Sequence, residues 1–84
     1  MKLLKFSAAW CQPCKVLSKT LETVDIHGCE LREIDISEDS DLAAKYRIRN
    51  VPTLVLVDDN DEDVAILLGA KPKRDIEEWL KNYV

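Results

Sequence analysis

No apolar run among these 84 residues is long enough to span a membrane. Basic residues are not in excess: 12 lysines and arginines stand against 16 aspartates and glutamates, for a formal net charge of -4. That balance disfavours nonspecific nucleic-acid binding and gives a well-solvated surface. Histidine occurs once, at His27, and cysteine three times, at Cys11, Cys14 and Cys29. An odd cysteine count is a poor fit to a secreted miniprotein stapled by disulfides. No repeat, low-complexity linker or shift of composition divides the chain. Residues 1–84 therefore read as one domain, long enough for a single modest core. The hydrophobic fraction, 46%, is that of a globular chain and argues against disorder. The opening "MKLLKFSAAWC" imitates a signal peptide. Its apolar stretch is interrupted by Lys5 and is too short before Cys11, so it reads as a buried strand of a cytoplasmic protein.

What is present has a regular order. Lys2 to Ser7 reads as a short buried strand. A helix is expected from Gln12 to Val24, with Val16, Leu17, Leu21 and Val24 on one face and Lys15, Lys19 and Glu22 elsewhere. Pro13 is tolerated there because a first-turn residue has no intrahelical N–H partner to lose. "DIHG" ends this helix, and Leu31 to Ile36 reads as a second strand. In "SEDSDLAAKYRIRN", Asp39 or Ser40 can cap a short helix whose inner face is Leu42, Ala43 and Tyr46. "VPTLVLVD" is a strongly apolar strand, "DNDED" a polar turn, and "VAILLG" a strand ended by Gly69, so the three read as a β-hairpin. "KPKRDIEEWLKNYV" closes the chain as a helix with Ile76, Trp79, Leu80 and Tyr83 on one stripe. The order βαβαββα belongs to the α/β class. Its first half demands a parallel strand pair with a crossover helix, and its second half adds an antiparallel hairpin. Together they make a four-stranded mixed sheet flanked by helices.

The chemistry concentrates in "WCQPC", Trp10 to Cys14. Two thiols at i and i+3 on a first helical turn lie on the same side and can bond to each other. Cys11 falls at the helix start, where its sulfur meets unpaired backbone N–H groups and the positive end of the helix dipole. Both favour the thiolate, the reactive form. Cys14, one turn inside, is expected to be more buried. Cys11 is thus the better attacking thiol and Cys14 the better resolving thiol, with Pro13 stiffening the turn between them. A zinc half-site would need two more ligands. Only His27 and Cys29 are on offer, and "HGC" lacks the paired spacing of a zinc ribbon or finger. A permanent staple is also a poor reading, since the loop is a few residues long and a reducing compartment would open it. "DDNDED", Asp58 to Asp63, has the charge of a calcium loop but not its glycine or terminal glutamate, and reads as a solvated turn. His27 reads as a solvated turn residue and Cys29 as a half-buried small hydrophobe.

"WCQPCK", "DLAAKYRIRNVPTLVLV" and "LLGA", taken in order, resemble the thioredoxin family over nearly the whole chain. The resemblance implies the minimal, glutaredoxin-sized thioredoxin fold, without the family's extra N-terminal strand and helix. It implies that Pro52 is a cis-proline beside the cysteine pair and that the backbone of Val51 pairs with an extended substrate peptide. Trp10 matches the aromatic residue that covers the site, the alternative being a core residue. Gly69 matches the glycine that lets substrate approach, the alternative being a plain strand terminator. Gln12 replaces the family's usual glycine between the cysteines, and Lys19 stands where a helix-kinking proline is frequent. Lys5 stands where thioredoxins usually bury an aspartate, and Glu33 where its lysine partner lies. The pair looks reversed in sign, unless Lys5 simply snorkels out of a short strand.

The implied activity is reduction of protein disulfides through a reversible Cys11–Cys14 disulfide. The dithiol is its own redox group, so no bound cofactor or metal is required. The expected partners are protein disulfides, ribonucleotide reductase being family-typical, with a flavoprotein thioredoxin reductase or glutathione as reductant. The protein is expected to be a cytoplasmic monomer that binds neither nucleic acid nor membrane. Two alternatives are a glutathione-coupled, glutaredoxin-like reductase and a redox-inactive thioredoxin-fold binding module.

Overall fold

The computed structural model describes residues 1–84. Its elements run β1 (Lys2–Ser7), α1 (Gln12–Leu21), β2 (Glu30–Asp35), α2 (Ser40–Lys45), β3 (Thr53–Val57), β4 (Asp63–Leu68) and α3 (Lys73–Lys81). All seven expected elements are present in the expected order. They form one four-stranded sheet in the order β2-β1-β3-β4. Strand β1 pairs in parallel with β2 and antiparallel with β3, and β3 pairs antiparallel with β4.

Alternation along β1 sends residues to two cores. Leu3 joins Leu54 and Leu56 beneath α1 and α3, which contribute Leu17, Leu21, Ile76 and Leu80. Leu4 and Phe6 join Ile34, Val55 and Val57 on the other face, under Tyr46 and α2. Phe6 and Tyr46 meet with ring centroids 6.0 Å apart. The buried Tyr46 hydroxyl is satisfied by donating to the carbonyl of Asp61 at 2.7 Å, which ties the end of α2 to the β3–β4 turn. In that turn Asp58 Oδ1 accepts from the N–H groups of Asn60 and Glu62. Asp39 is the residue that caps α2, accepting from the N–H of Leu42 at 3.2 Å.

Several boundaries and faces differ from the sequence reading. Helix α1 stops at Leu21 with Glu22 as its C-cap, three residues short of Val24, although Val24 still reaches the core. Val16 does not face inward: it is exposed, and Cys14 takes the inner position one turn before Leu17 and Leu21. Spacing of three and four runs through Cys14, Leu17, Leu21 and Val24, whereas Val16 stands next to Leu17 and off that stripe. Strand β2 begins one residue earlier than Leu31 and ends at Asp35, not Ile36. Cys29 is buried, at 8% exposed, as a member of the core cluster under α1 and α3, not half-buried. Trp79 is partly buried, while Tyr83, past the end of α3, is exposed and packs edge-on against it. On the edge strand β4, Val64, Ile66 and Leu68 all point out to solvent, while Ala65 and Leu67 turn to the α1–α3 core.

Strand β2 ends in a tight turn held by Asp35. Its carboxylate accepts from the Ser37 hydroxyl at 2.6 Å and from the Ser37 N–H at 2.8 Å. These bonds, with a lesser one from the Glu38 backbone, hold the Asp35 carboxyl below its ordinary range. Because the folded value is the lower one, the contribution to stability is complete above the unfolded-state value. It is lost as the pH falls through the folded value.

Two outcomes follow for folding. Leu17→Ala is expected to destabilise by about 2–5 kcal/mol and Val16→Ala by no more than about 0.5 kcal/mol, as read from urea unfolding. Equal losses at the two positions would place α1 in the wrong rotation. Ser37→Ala is expected to move the Asp35 carboxyl up towards its ordinary value, as followed by carboxyl-carbon NMR across an acid titration.

Candidate active site

The chain leaves the sheet at Ser7, turns through Ala8 to Trp10 and enters α1. The N–H of Cys11 donates to the carbonyl of Ala8 at 3.1 Å, which closes this turn. Cys11 is the N-cap of α1, with extended backbone, and Gln12, Pro13 and Cys14 are the first three helical residues. Gln12 and Pro13 are exposed. The missing N–H of Pro13 costs nothing at this position, and its fixed φ suits the first turn. The two cysteines have Cα atoms 5.3 Å apart and are joined by a disulfide. The Cys11 Sγ also accepts from the N–H of Cys14 at 3.2 Å. A helix N-terminus leaves such N–H groups without intrahelical partners, and here the sulfur takes one of them.

Burial separates the two sulfurs less than expected. Cys11 is 4% exposed and Cys14 2%, so in the oxidised form neither is open to solvent. The N-cap hydrogen bond distinguishes them. When the pair is reduced, that donor and the helix dipole favour negative charge on Cys11.

Around the pair, Ala8, Cys11 and Cys14 form a small cluster against which Ile36 and Val51 pack. The Val51–Pro52 peptide bond is cis, Pro52 is buried and Val51 is partly buried. Neither the N–H nor the C=O of Val51 has a hydrogen-bond partner within the chain. Gly69 N–H donates to the Pro52 carbonyl at 2.9 Å, fixing the end of β4 beside this loop. Gly69 has φ +87, a conformation that L side chains rarely adopt, and nothing lies within 4 Å of where its Cβ would stand. Trp10 is 75% exposed next to Cys11, so it is not a core residue. Ile36 was not picked out by its sequence, because it reads only as the apolar end of a strand.

Behind Cys14 lies a cleft of about 240 Å³, whose lining includes Lys5, Lys15, Ser18, Glu33 and Asp35. The side chain of Lys5 is only 3% exposed, so it does not snorkel out of the strand. Its Nζ lies 3.1 Å from Glu33 Oε2, the two residues being register partners across β1 and β2. It also donates to Ser18 Oγ, and Ser18 Oγ in turn donates to the carbonyl of Cys14 at 3.1 Å. Ser18 carries no sequence signal beyond its place one turn after Cys14. The residues of the rejected zinc reading are not drawn to the pair: Cys29 sits in the α1–α3 core, and His27 lies in a turn beside Asp25.

A family model described as Thioredoxin matches residues 1–82. A thioredoxin of Staphylococcus epidermidis is 34% identical over 87 residues, covering all of this chain and 83% of the relative. A thioredoxin of Staphylococcus aureus is 32% identical over the same span. Among solved structures, a thioredoxin variant from Halobacterium salinarum superposes with a TM-score of 0.84 at 34% identity, covering 96% of this chain and 72% of that one. Fasciola hepatica thioredoxin gives 0.86 at 26% identity, covering 98% and 79%. The sheet order, the bonded cysteines at a helix start and these matches agree, and the chain belongs to the thioredoxin family of thiol–disulfide oxidoreductases.

Proposed function

We propose that Cys11 is the attacking thiol and Cys14 the resolving thiol in the reduction of protein disulfides. The observation that carries this division is the hydrogen bond from the Cys14 N–H to the Cys11 Sγ at the N-cap of α1. In the reduced protein that donor supports a thiolate on Cys11, which attacks a substrate disulfide. A Cys11–substrate mixed disulfide forms and one substrate sulfur leaves as a thiolate. Cys14 then attacks the Cys11 sulfur. The Cys11–Cys14 bond forms, and the second substrate sulfur departs with its electron pair and takes up a proton. An external reductant returns two electrons to the pair. Two reductants fit such a dithiol, a flavoprotein thioredoxin reductase and glutathione, and turnover with each in turn tells them apart.

Substrate recognition is assigned to Val51, Pro52, Gly69 and Trp10. The unpaired N–H and C=O of Val51 lie in a loop packed on the cysteines, where an extended peptide can add its own backbone as a strand would. The exposed Trp10, next to Cys11 in the chain, offers an apolar face to a substrate. Gln12 and Pro13 shape the turn between the sulfurs. The sequence supports reading residues 1–84 as a single-domain, cytoplasmic monomer acting on protein disulfides, ribonucleotide reductase being a family-typical substrate.

Insulin reduction with dithiothreitol tests the assignment. The wild type is expected to turn over, and Cys11→Ser and Cys14→Ser are each expected to fall to background. Only Cys14→Ser should accumulate a covalent mixed disulfide with substrate. Accumulation in Cys11→Ser instead would reverse the roles, and no turnover by the wild type would favour a binding module. The Val51 assignment has its own measurement. In a mixed disulfide between the Cys14→Ser protein and a substrate peptide, amide exchange at Val51 is expected to slow by about threefold to tenfold. That corresponds to one net hydrogen bond of about 1 kcal/mol. Unchanged exchange there would remove the strand-addition reading.

A further inference from the structure

Lys5 is the only charged residue among those buried, and the reaction as described makes no use of it. A buried ammonium is costly unless its donors are satisfied. It has three N–H donors. Glu33 takes one and Ser18 another. The remaining donor has no partner in the chain, and Lys5 shares the cleft behind the active site with Cys14. Through Ser18 the ammonium is also tied to the carbonyl of Cys14 itself, which holds that turn of α1 against β1.

The oxidised pair is uncharged, so the ammonium gains nothing from it. Once the pair is reduced, an anion on the buried Cys14 would share this cleft with the buried ammonium, and a nearby cation favours the charged form of a thiol. The other charges lining the cleft are Glu33 and Asp35 on β2 and Lys15 on α1. The adjoining strand β3 places the uncharged Leu54 beside Lys5. The Glu33 side chain is 63% exposed, so solvent weakens its field, while Lys5 is enclosed.

We propose that Lys5 is a positioning residue that stabilises the Cys14 thiolate, raising the reduction potential of the Cys11–Cys14 pair and speeding the resolving step. It rests on the assignment of Cys14 as the resolving thiol. The work is divided: the helix start activates Cys11 for the first attack, and the buried ammonium activates Cys14 for the second. In that second step the Cys14 thiolate forms the bond to Cys11 Sγ and the substrate thiolate leaves. The anion moves away from Lys5, and no proton need pass through it.

The test is equilibration of the full chain with a glutathione redox couple. Lys5→Met is expected to make the pair more reducing by at least threefold in the equilibrium constant, about 14 mV for two electrons. Lys5→Arg, which keeps the charge, should stay within that margin of the wild type. In a Cys11→Ser, Cys29→Ala background Cys14 is the one thiol left, and Lys5→Met should shift the titration of its ultraviolet thiolate absorbance to higher pH. An unchanged potential and an unchanged Cys14 titration would overturn the proposal, because a purely structural lysine would move neither. Should Lys5→Met fail to fold, Glu33→Gln carries the test from an exposed position. Removing the counter-charge should make the pair more oxidising by about twofold, and no shift or the opposite shift counts against the proposal. Failure of the wild type to exchange with glutathione at all would overturn the redox assignment of the pair, a separate result.

Discussion

Everything in this protein hangs on one strand that has no free side. Strand β1 is hydrogen-bonded along both edges, to β2 and to β3. It is also buried on both faces from Leu3 to Ser7. Its odd residues face one core and its even residues the other, so a slip of a single position would exchange the two sets. That register places Ser7 at the rim of the sheet, from which the chain turns into Cys11. It also places Lys5 on the face that α1 covers, within reach of both Ser18 and Glu33. The position of the active site and the burial of its nearest cation are consequences of the same pairing.

The cost of that arrangement is a charge where an aliphatic side chain would be expected. Replacing a buried ionic group with an apolar one is often neutral or stabilising, so stability alone gives little reason to keep Lys5. The groups around it are not stacked for packing either. Glu33 is largely exposed, and Ser18 is used twice, accepting from Lys5 and donating to the Cys14 carbonyl. The chain of contacts from β2 through β1 to α1 ends at the residue that carries the second sulfur.

Much of this was readable in advance, for identifiable reasons. Strands β1 and β3 announce themselves as short, dense apolar runs. Of the two caps the sequence offers for α2, Asp39 and Ser40, the short carboxylate before the helix is the one used. The cysteine pair is legible because its spacing and the proline at a first helical turn constrain each other. What escaped was whatever depends on rotation or depth. Val16 reads as inward only because it is apolar; the three-and-four spacing of the buried stripe runs through Cys14, Leu17 and Leu21. Cys29 has no neighbours in sequence that reveal how deeply it sinks. The small difference in burial between Cys11 and Cys14 could not be read from their order along the helix. Ile36 reaches the pair only because β2 ends beside it.

The outward row of Val64, Ile66 and Leu68 gives the molecule a colloidal character. An edge strand with unpaired backbone and apolar side chains invites another edge to join it. The bulge between Leu56 and Val57 and the acidic turn before β4 roughen this edge, but the broader safeguard is mutual repulsion between molecules of net charge -4. That repulsion fades towards the isoelectric point near 4.9, while the apolar row stays as it is. Mild acid is therefore the condition in which a fully folded population of this protein is most apt to come out of solution, edge against edge.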